Sequence, residues 1–160
     1  MPQVSIPVVW SDTCLAHEPD GEVWVGVHTS GTEIPARATT IREALAAAGH
    51  PEVPATAHGD APVLEVHDER LLRYLERAYG DWVQAGFLDD PGQPRVVPYL
   101  FPTPGMLAGL PPREPAAAHA RAGLYCYDTM TLVGPGTYAA ARAAADAALT
   151  AVDLVVAGDV

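Results

Sequence analysis

The chain has 160 residues, of which 49% are hydrophobic and 18% charged, so it is long enough to bury a core and too apolar for general disorder. Its net charge is -11. A charge of this sign argues against a surface for nucleic-acid phosphates, and it would suit a small cationic ligand. Acidity that serves solubility alone is the competing explanation.

Targeting and cysteine signals are weak. No positively charged start precedes an apolar run, and no apolar stretch approaches the roughly 20 residues of a membrane span, so we expect a cytoplasmic protein without a membrane segment. Cys14 and Cys126 lie far apart without CxxC spacing, which predicts neither a zinc ribbon nor a disulfide scaffold. Cys14 and His17 have the spacing of a metal pair, but no second pair completes a four-ligand site.

The first third of the chain predicts two short strands and a helix. Residues 4–10 are a mostly apolar run and predict a strand, and residues 52–57 predict a second, weaker one. Between them, Pro35 suits the first position of a helix that ends at Gly49. Residues 11–31 read as a long loop with a polar set that either rims a site or is a solvated surface: Asp12, His17, Glu18, Asp20, Glu22 and His28.

Residues 63–83 contain the second strongest helical signal. Asp68 is a plausible cap, and His67 before it reads as a structural residue. Charged pairs four residues apart, Glu69 with Arg73 and Arg77 with Asp81, are expected on the exposed face. Helical spacing predicts a buried stripe of Leu71, Leu72, Leu75, Ala78, Tyr79, Trp82 and Val83.

The strongest helical signal covers residues 137–158. Thr137 is predicted to cap the helix and Gly158 to end it in a left-handed conformation. The polar face holds Arg142, Asp146 and Asp153, opposite a predicted buried stripe of Tyr138, Ala141, Ala145, Ala148, Leu149, Val152, Val155 and Val156. Such a helix normally leads into a buried strand. Because the sequence stops two residues later, we expect the apolar faces of both strong helices to be poorly covered.

Residues 87–121 differ from the rest of the chain in amino-acid composition. Proline is frequent between Pro91 and Pro115, which predicts little regular structure. The segment is nevertheless apolar at Val96, Val97, Tyr99, Leu100, Phe101, Met106, Leu107 and Leu110. An arm that packs on another subunit or walls a substrate channel explains both features, and so does a loop folded over its own core. No Gly-rich phosphate loop, HExxH or GxSxG motif accompanies it.

Four stretches together resemble one known family. They are residues 33–37 (EIPAR) followed by Ile41, residues 66–68 (VHD) followed by Leu71, Tyr74 and Leu75, residues 96–106 (VVPYLFPTPGM), and residues 123–129 (GLYCYDT) followed by the alanine-rich helix. Their order and spacing are similar to those of the histone deacetylase superfamily, and within it of the bacterial acetylpolyamine aminohydrolases.

The resemblance implies an α/β fold of the arginase and deacetylase type, an open parallel sheet with flanking helices around one zinc ion. It implies zinc-dependent hydrolysis of an acetylated amine, acetylpolyamine first and acetyl-lysine second, in which zinc polarises the amide carbonyl and a histidine acts as general base. Residues 1–160 would be the N-terminal portion of one such domain, and residues 87–121 a loop insertion within it.

The resemblance also implies roles for individual residues. Asp128 matches the rim aspartate that grips the substrate backbone in the deacetylase branch, and Arg37 matches an arginine near the internal channel for acetate. Phe101 would help narrow the substrate channel, and Glu114 could attract a distal ammonium group. A homodimer interface through the insertion would involve Tyr99, Phe101 and Met106.

The sequence departs from the family in one large respect. The paired histidines, the Asp-x-His ligands, the second metal-binding aspartate and the catalytic tyrosine of the family all follow the helix that ends at Gly158. We therefore expect the zinc ligands to lie outside these 160 residues, and this chain alone to hold no catalytic or metal-binding residue and to be inactive. The alternative is a non-catalytic binding or oligomerisation module derived from the same fold.

Overall fold

The computed structural model of the chain describes residues 6–158. Strand β1 (Val8–Trp10) pairs in parallel with β4 (Glu52–Pro54), with Val9 opposite Val53. Both strands were expected from the sequence, although residues 4 and 5 of the first lie outside the described part. The helices are α1 (Pro35–Ala47), α2 (Ala61–Leu64), α3 (Glu69–Gln84), α4 (Ala118–Tyr125) and α5 (Thr137–Ala157).

Residues 11–31 are not the irregular loop that the sequence predicted. Asp12–Ala16 form a 3₁₀ helix. Strand β2 (Glu22–Trp24) pairs antiparallel with β3 (Val27–Thr29), and the two form a hairpin with a two-residue loop. The turn places Val25 at φ 49° and Gly26 at φ 80°. Hairpins of this kind usually signal themselves by Asn-Gly or Asp-Gly, because a β-branched residue rarely adopts positive φ. Because valine occupies the first turn position here, the sequence did not predict this hairpin.

Helix α3 begins as predicted and buries most of the predicted stripe. The Asp68 Oδ1 accepts a hydrogen bond from the Arg70 backbone N–H at 2.8 Å. Two predicted details were wrong: Val83 is 43% exposed, and Tyr74, which was left out of the stripe, is buried. The core cluster joins α3 to α4 and two extended segments, and its buried members are Tyr74, Ala78, Trp82, Val96, Ala122 and Val133.

One of the two predicted charged pairs on α3 includes a residue that makes a tertiary contact. Arg73 and Glu69 pair on the exposed face at 2.9 Å, as expected. Asp81, by contrast, has a mostly buried side chain, and it accepts a hydrogen bond from Arg121 of α4 at 2.8 Å. Its predicted partner Arg77 lies at 3.7 Å. The Asp81 carboxylate therefore links α3 to α4, a tertiary contact that helical spacing cannot reveal.

Helix α5 has its predicted length and end but buries the opposite face. Gly158 closes it at φ 76°. The residues that are fully buried are Ala140, Ala143 and Thr150, whereas Val152, Val155 and Val156 of the predicted stripe are 56%, 66% and 80% exposed. The helix is rich in alanine on every side, so apolar spacing could not distinguish its two faces.

The polar side chains of α5 hold the segment that follows β4. Thr150 Oγ1 accepts from the Thr56 backbone N–H at 3.0 Å, and Asp146 Oδ1 accepts from the His58 N–H at 3.0 Å. Asp153 pairs with His58 Nε2 at 2.8 Å, and this hydrogen bond raises the pKa of His58. The face that the sequence assigned to solvent is thus an internal contact surface.

The start of α5 lies against the 3₁₀ helix with no room for a side chain. A methyl group at Gly136 would come 2.1 Å from the carbonyl oxygen of Ala16. Thr137 is not the cap that the sequence predicted: Gly136 occupies that position, and the Thr137 hydroxyl accepts from the Gly134 N–H at 2.8 Å. Glycine at position 136 sets the distance between these two elements.

The proline-rich segment divides into a buried base and an exposed tip. Val96 exchanges backbone hydrogen bonds with Val133 at 2.9 and 3.1 Å, and Pro98 is fully buried. Tyr99, Leu100, Met106 and Leu110 are 47% to 70% exposed. The base of the segment therefore folds over the core of its own chain, as one of the two explanations expects. The tip does not, and its packing on another subunit or along a substrate channel stays a prediction. Among residues 6–158, no helix is long and apolar enough to span a membrane.

We expect Gly136→Ala to destabilise the protein by about 1–3 kcal/mol, because the added methyl group must displace the Ala16 carbonyl from a packed contact. Urea unfolding of both proteins measures the difference. Gly80→Ala is the matched control. Gly80 lies in the middle of α3 with open space around it, so the same change there should stabilise by roughly 0.5–1 kcal/mol. Equal effects at both positions would contradict the close contact.

Candidate functional site

Two cavities meet at His17 and Glu33, near the start of α1 and the β2–β3 hairpin. The first, of about 250 Å³, is lined by Cys14, His17, Glu33, Ile34, Pro35, Arg37, Ala38 and Ile41. The second, of about 270 Å³, is lined by His17, Pro19, Glu22, Gly31, Thr32, Glu33, Met130 and Thr131. This pair of cavities is the candidate site, because it lies between Arg37 and the turn that carries Asp128.

His17 stands between the two cavities, at the end of the 3₁₀ helix. Its Nδ1 lies 2.9 Å from the Thr137 hydroxyl, so the first residue of α5 orients the ring. Burial lowers the pKa of His17 below its usual value, and the negative charge of Glu33 opposes that shift. The imidazole is therefore neutral at pH 7, with one nitrogen able to donate and the other to accept.

Arg37 lies in the first turn of α1, where Pro35 occupies a position that needs no backbone donor. Its guanidinium pairs with the Glu33 carboxylate, four residues earlier. Both side chains are more than half exposed, so the pair is a wall of the first cavity and contributes little to stability. The residue predicted for the product channel thus borders a cavity that the central His17 also lines.

Asp128 organises the tight turn at the rim of the second cavity. Its Oδ1 accepts from the backbone N–H groups of Met130 and Thr131, each at 2.8 Å. The turn is fixed to β2 by Thr129, whose carbonyl accepts from the Val23 N–H at 3.1 Å and whose hydroxyl donates to the Val23 carbonyl at 2.7 Å. The carboxylate is exposed, so it is available to a ligand while its turn stays in place.

The remaining predicted residues line neither cavity of the candidate site. Glu114 accepts a hydrogen bond from the Tyr125 hydroxyl at 2.9 Å. Tyr99 stacks on His119 with ring centroids 5.8 Å apart, and Met106 is 66% exposed at the tip. Phe101 is partly buried. The proline-rich segment that carries it crosses α4 closely, because a methyl group on Gly123 of α4 would come 1.5 Å from the Leu100 carbonyl oxygen.

A metal centre does not fit the described residues. Within residues 6–158, no three His, Cys, Asp or Glu side chains are grouped so that they could hold a metal ion. Cys14 and His17 both line the first cavity, but Glu33, the other potential ligand there, is paired with Arg37. The described residues therefore offer no complete set of zinc ligands.

Sequence reasoning missed the central position of His17 and Glu33. The polar set of residues 11–31 includes His17, but its residue types and spacing suit a solvated surface loop as well as the rim of a site. The deciding contact joins His17 to Thr137, which is 120 residues away along the chain. Only the folded chain brings these two residues together.

Comparison with known proteins gives a consistent result. The chain is 32% identical over 152 residues to an acetylpolyamine amidohydrolase of Mycoplana ramosa, covering 94% of this chain and 42% of that protein. It is 30% identical over 143 residues to acetylpolyamine amidohydrolase 2 of Pseudomonas aeruginosa, covering 89% of this chain and 39% of that one. No protein-family model matches the sequence.

A solved structure agrees with the sequence relatives. The crystal structure of an acetylpolyamine aminohydrolase from Burkholderia pseudomallei superposes with a TM-score of 0.77 and 25% identity, over 91% of this chain and 40% of that one. The expected resemblance and the α/β fold class are confirmed. The chain spans about two-fifths of the length of the relatives that it matches.

Because Glu33 raises the pKa of His17, we expect Glu33→Gln to lower that pKa further, so that the ring stays neutral to a more acidic pH. An NMR titration of the imidazole proton shifts measures both values. Glu43→Gln, which removes a charge from the exposed side of the same helix, is the matched control and should leave the His17 titration unchanged. A rise in the pKa on loss of the Glu33 charge would contradict the arrangement.

Proposed function

On the premise that this chain is related in sequence and fold to the acetylpolyamine aminohydrolases, we propose that it is the N-terminal segment of a zinc-dependent amidohydrolase. The complete protein removes acetyl groups from small acetylated amines, acetylpolyamines first and acetyl-lysine second. The observation that carries the proposal is the 32% identity that extends over 94% of the chain. The zinc ligands and the groups that act on the amide lie outside these residues.

The charges of the residues that line the second cavity favour a cationic substrate. Two carboxylates, Glu22 and Glu33, line it beside a neutral His17, and no arginine is among its described lining residues. Asp128 adds a third carboxylate at the rim, through the turn that includes Met130 and Thr131. A polyamine that has lost one charge to acetylation still carries at least one ammonium group, and this surface would attract it.

Arg37 and Glu33 are proposed to border the path by which acetate leaves. An anionic product would be drawn towards the Arg37 guanidinium, which offsets the charge of Glu33 in the first cavity, and away from Glu22, which lines only the second cavity. His17 separates the two cavities, so the cationic and anionic products would depart on different sides of its ring. This division follows from the positions of the charges and requires no movement of the chain.

The experiment measures hydrolysis of an acetylated diamine and of an acetyl-lysine peptide by the zinc-loaded complete protein that contains this chain. We expect faster hydrolysis of the diamine, and Asp128→Asn to lower kcat/KM for it by about tenfold or more. Asparagine keeps the oxygen that accepts from Met130 and Thr131, so the change removes the charge and retains the turn.

The matched control is Asp20→Asn, a change of the same charge at an exposed loop residue that lines neither cavity. It should retain full activity. The isolated 160-residue chain should be inactive with either substrate. Failure of the zinc-loaded complete protein to hydrolyse any acetylated amine would overturn the proposed function.

A second candidate function is a binding or oligomerisation module, and the exposed tip of the arm favours it. Tyr99, Leu100, Met106 and Leu110 are large apolar side chains that are all exposed within one segment, and grouped exposure of this kind is typical of interaction surfaces. The same surface would serve as the homodimer interface of an active enzyme. The two candidates therefore differ in catalysis and share an expected association through the arm.

We expect the protein to be dimeric and Met106→Glu to shift it towards monomer, because a charge at the tip would be desolvated in the interface. Sedimentation velocity at several concentrations measures the distribution. Val66→Glu, at a residue that is 78% exposed outside the arm, is the control and should leave the dimer intact. Dimers that persist equally in both variants would exclude the tip as the interface.

A further inference from the structure

Four arginines line one small cavity at the junction of α3 and α4. They are Arg70, Arg73, Arg77 and Arg121, and the cavity of about 100 Å³ is completed by Tyr74 and Glu114. The chain has only nine cationic side chains and a net charge of -11. Nearly half of its positive charge is therefore gathered around a single opening, against the sign of the whole molecule.

The helix geometry explains how the arginines meet. Arg70, Arg73 and Arg77 are spaced three and four residues apart, so they lie along one face of α3. Arg121 approaches from α4, which packs against α3 in the core. The carboxylates of Asp68, Glu69 and Asp81 pair with these arginines from outside the cavity wall. They position the guanidinium groups, but none of the three lines the cavity.

Two buried donors at this cavity are left without a strong acceptor. Tyr74 is only 7% exposed, and among the described residues its hydroxyl has no oxygen or nitrogen partner, only the weakly polar Cys126 thiol beside it. The Nε of Arg121 is also buried and unpaired within residues 6–158. Burial and the neighbouring Cys126 thiol raise the pKa of Tyr74, so its hydroxyl remains a donor at pH 7. Unsatisfied buried donors are rare and destabilising, and a bound acceptor would remove the cost of leaving them unpaired.

We propose that this cavity binds a small multiply charged oxyanion of the phosphate type. Guanidinium groups match phosphate oxygens in paired hydrogen bonds, and donors from two helices surround the opening as a tetrahedral anion requires. The volume suits a single phosphate group and is below the roughly 300–1,000 Å³ of sites for larger organic ligands. The site does not depend on amide hydrolysis and lines neither cavity of the proposed active site.

The negative charge of Glu114 opposes the binding of an anion in this cavity. Its carboxylate lines the same cavity and is held by the Tyr125 hydroxyl at 2.9 Å. It repels an incoming anion and therefore weakens binding without preventing it. A monocarboxylate such as acetate gains less from the arginines and is therefore discriminated against, whereas a phosphate group is retained.

The test titrates inorganic phosphate into the complete protein by calorimetry, with sodium chloride holding the ionic strength constant. We expect saturable binding of phosphate, and binding of acetate that is at least about tenfold weaker. Tyr74→Phe and Arg73→Gln should each weaken phosphate binding by roughly tenfold, since each removes a donor to the anion. Glu114→Gln should tighten it, because it removes the opposing charge and keeps an acceptor for Tyr125.

The controls separate binding from folding. Without phosphate, Tyr74→Phe should melt close to the temperature of the parent, because the lost hydroxyl has only the weak Cys126 thiol as a neighbour among the described residues. Arg37→Gln removes one positive charge from a distant cavity and should leave phosphate binding unchanged. Phosphate binding that is equal in the parent, Tyr74→Phe and Arg73→Gln proteins, or no binding beyond that of chloride, would overturn the assignment.

Discussion

The contact on which the arrangement most depends is the close approach of α5 to the 3₁₀ helix. Gly136 leaves no space between its backbone and the Ala16 carbonyl, and the adjacent Thr137 hydroxyl reaches His17. This contact fixes the ring between two cavities and brings the Asp128 turn to the same side of the molecule as α1. Without it, residues that are far apart in sequence would not form one site.

The net charge of the chain does not show how its charged side chains are distributed over the structure. Two glutamates, Glu22 and Glu33, line the second cavity, whereas four ion-paired arginines and Glu114 line the cavity between α3 and α4. The acidic region suits a cationic amine, and the basic region suits an anion. Because both lie on one chain of net charge -11, overall acidity alone would have predicted the first and excluded the second.

Two of the apolar surfaces that remain exposed among the described residues lie on α5 and on the proline-rich segment. One is the outer face of α5, with Val152, Val155 and Val156, and the other is the tip of the proline-rich arm. The expectation of poor coverage holds for α5 and fails for α3, whose apolar face is buried by α4 and the base of the arm. Surfaces of this kind normally pack against further protein, which agrees with a chain that spans two-fifths of its relatives.

The sequence by itself determined the local elements, because caps, glycine stops and periodicity act over a few residues. It predicted α1, α3, α5 and the two strands that pair in parallel, and its motifs indicated the acetylpolyamine amidohydrolases to which the chain is similar in sequence. The tertiary structure alone decided which face of α5 is buried, since alanine on every side leaves the pattern ambiguous. It also decided the contact of His17 with Thr137 and the convergence of four arginines. Those pairings join distant segments, and no local pattern records which distant segment will lie opposite.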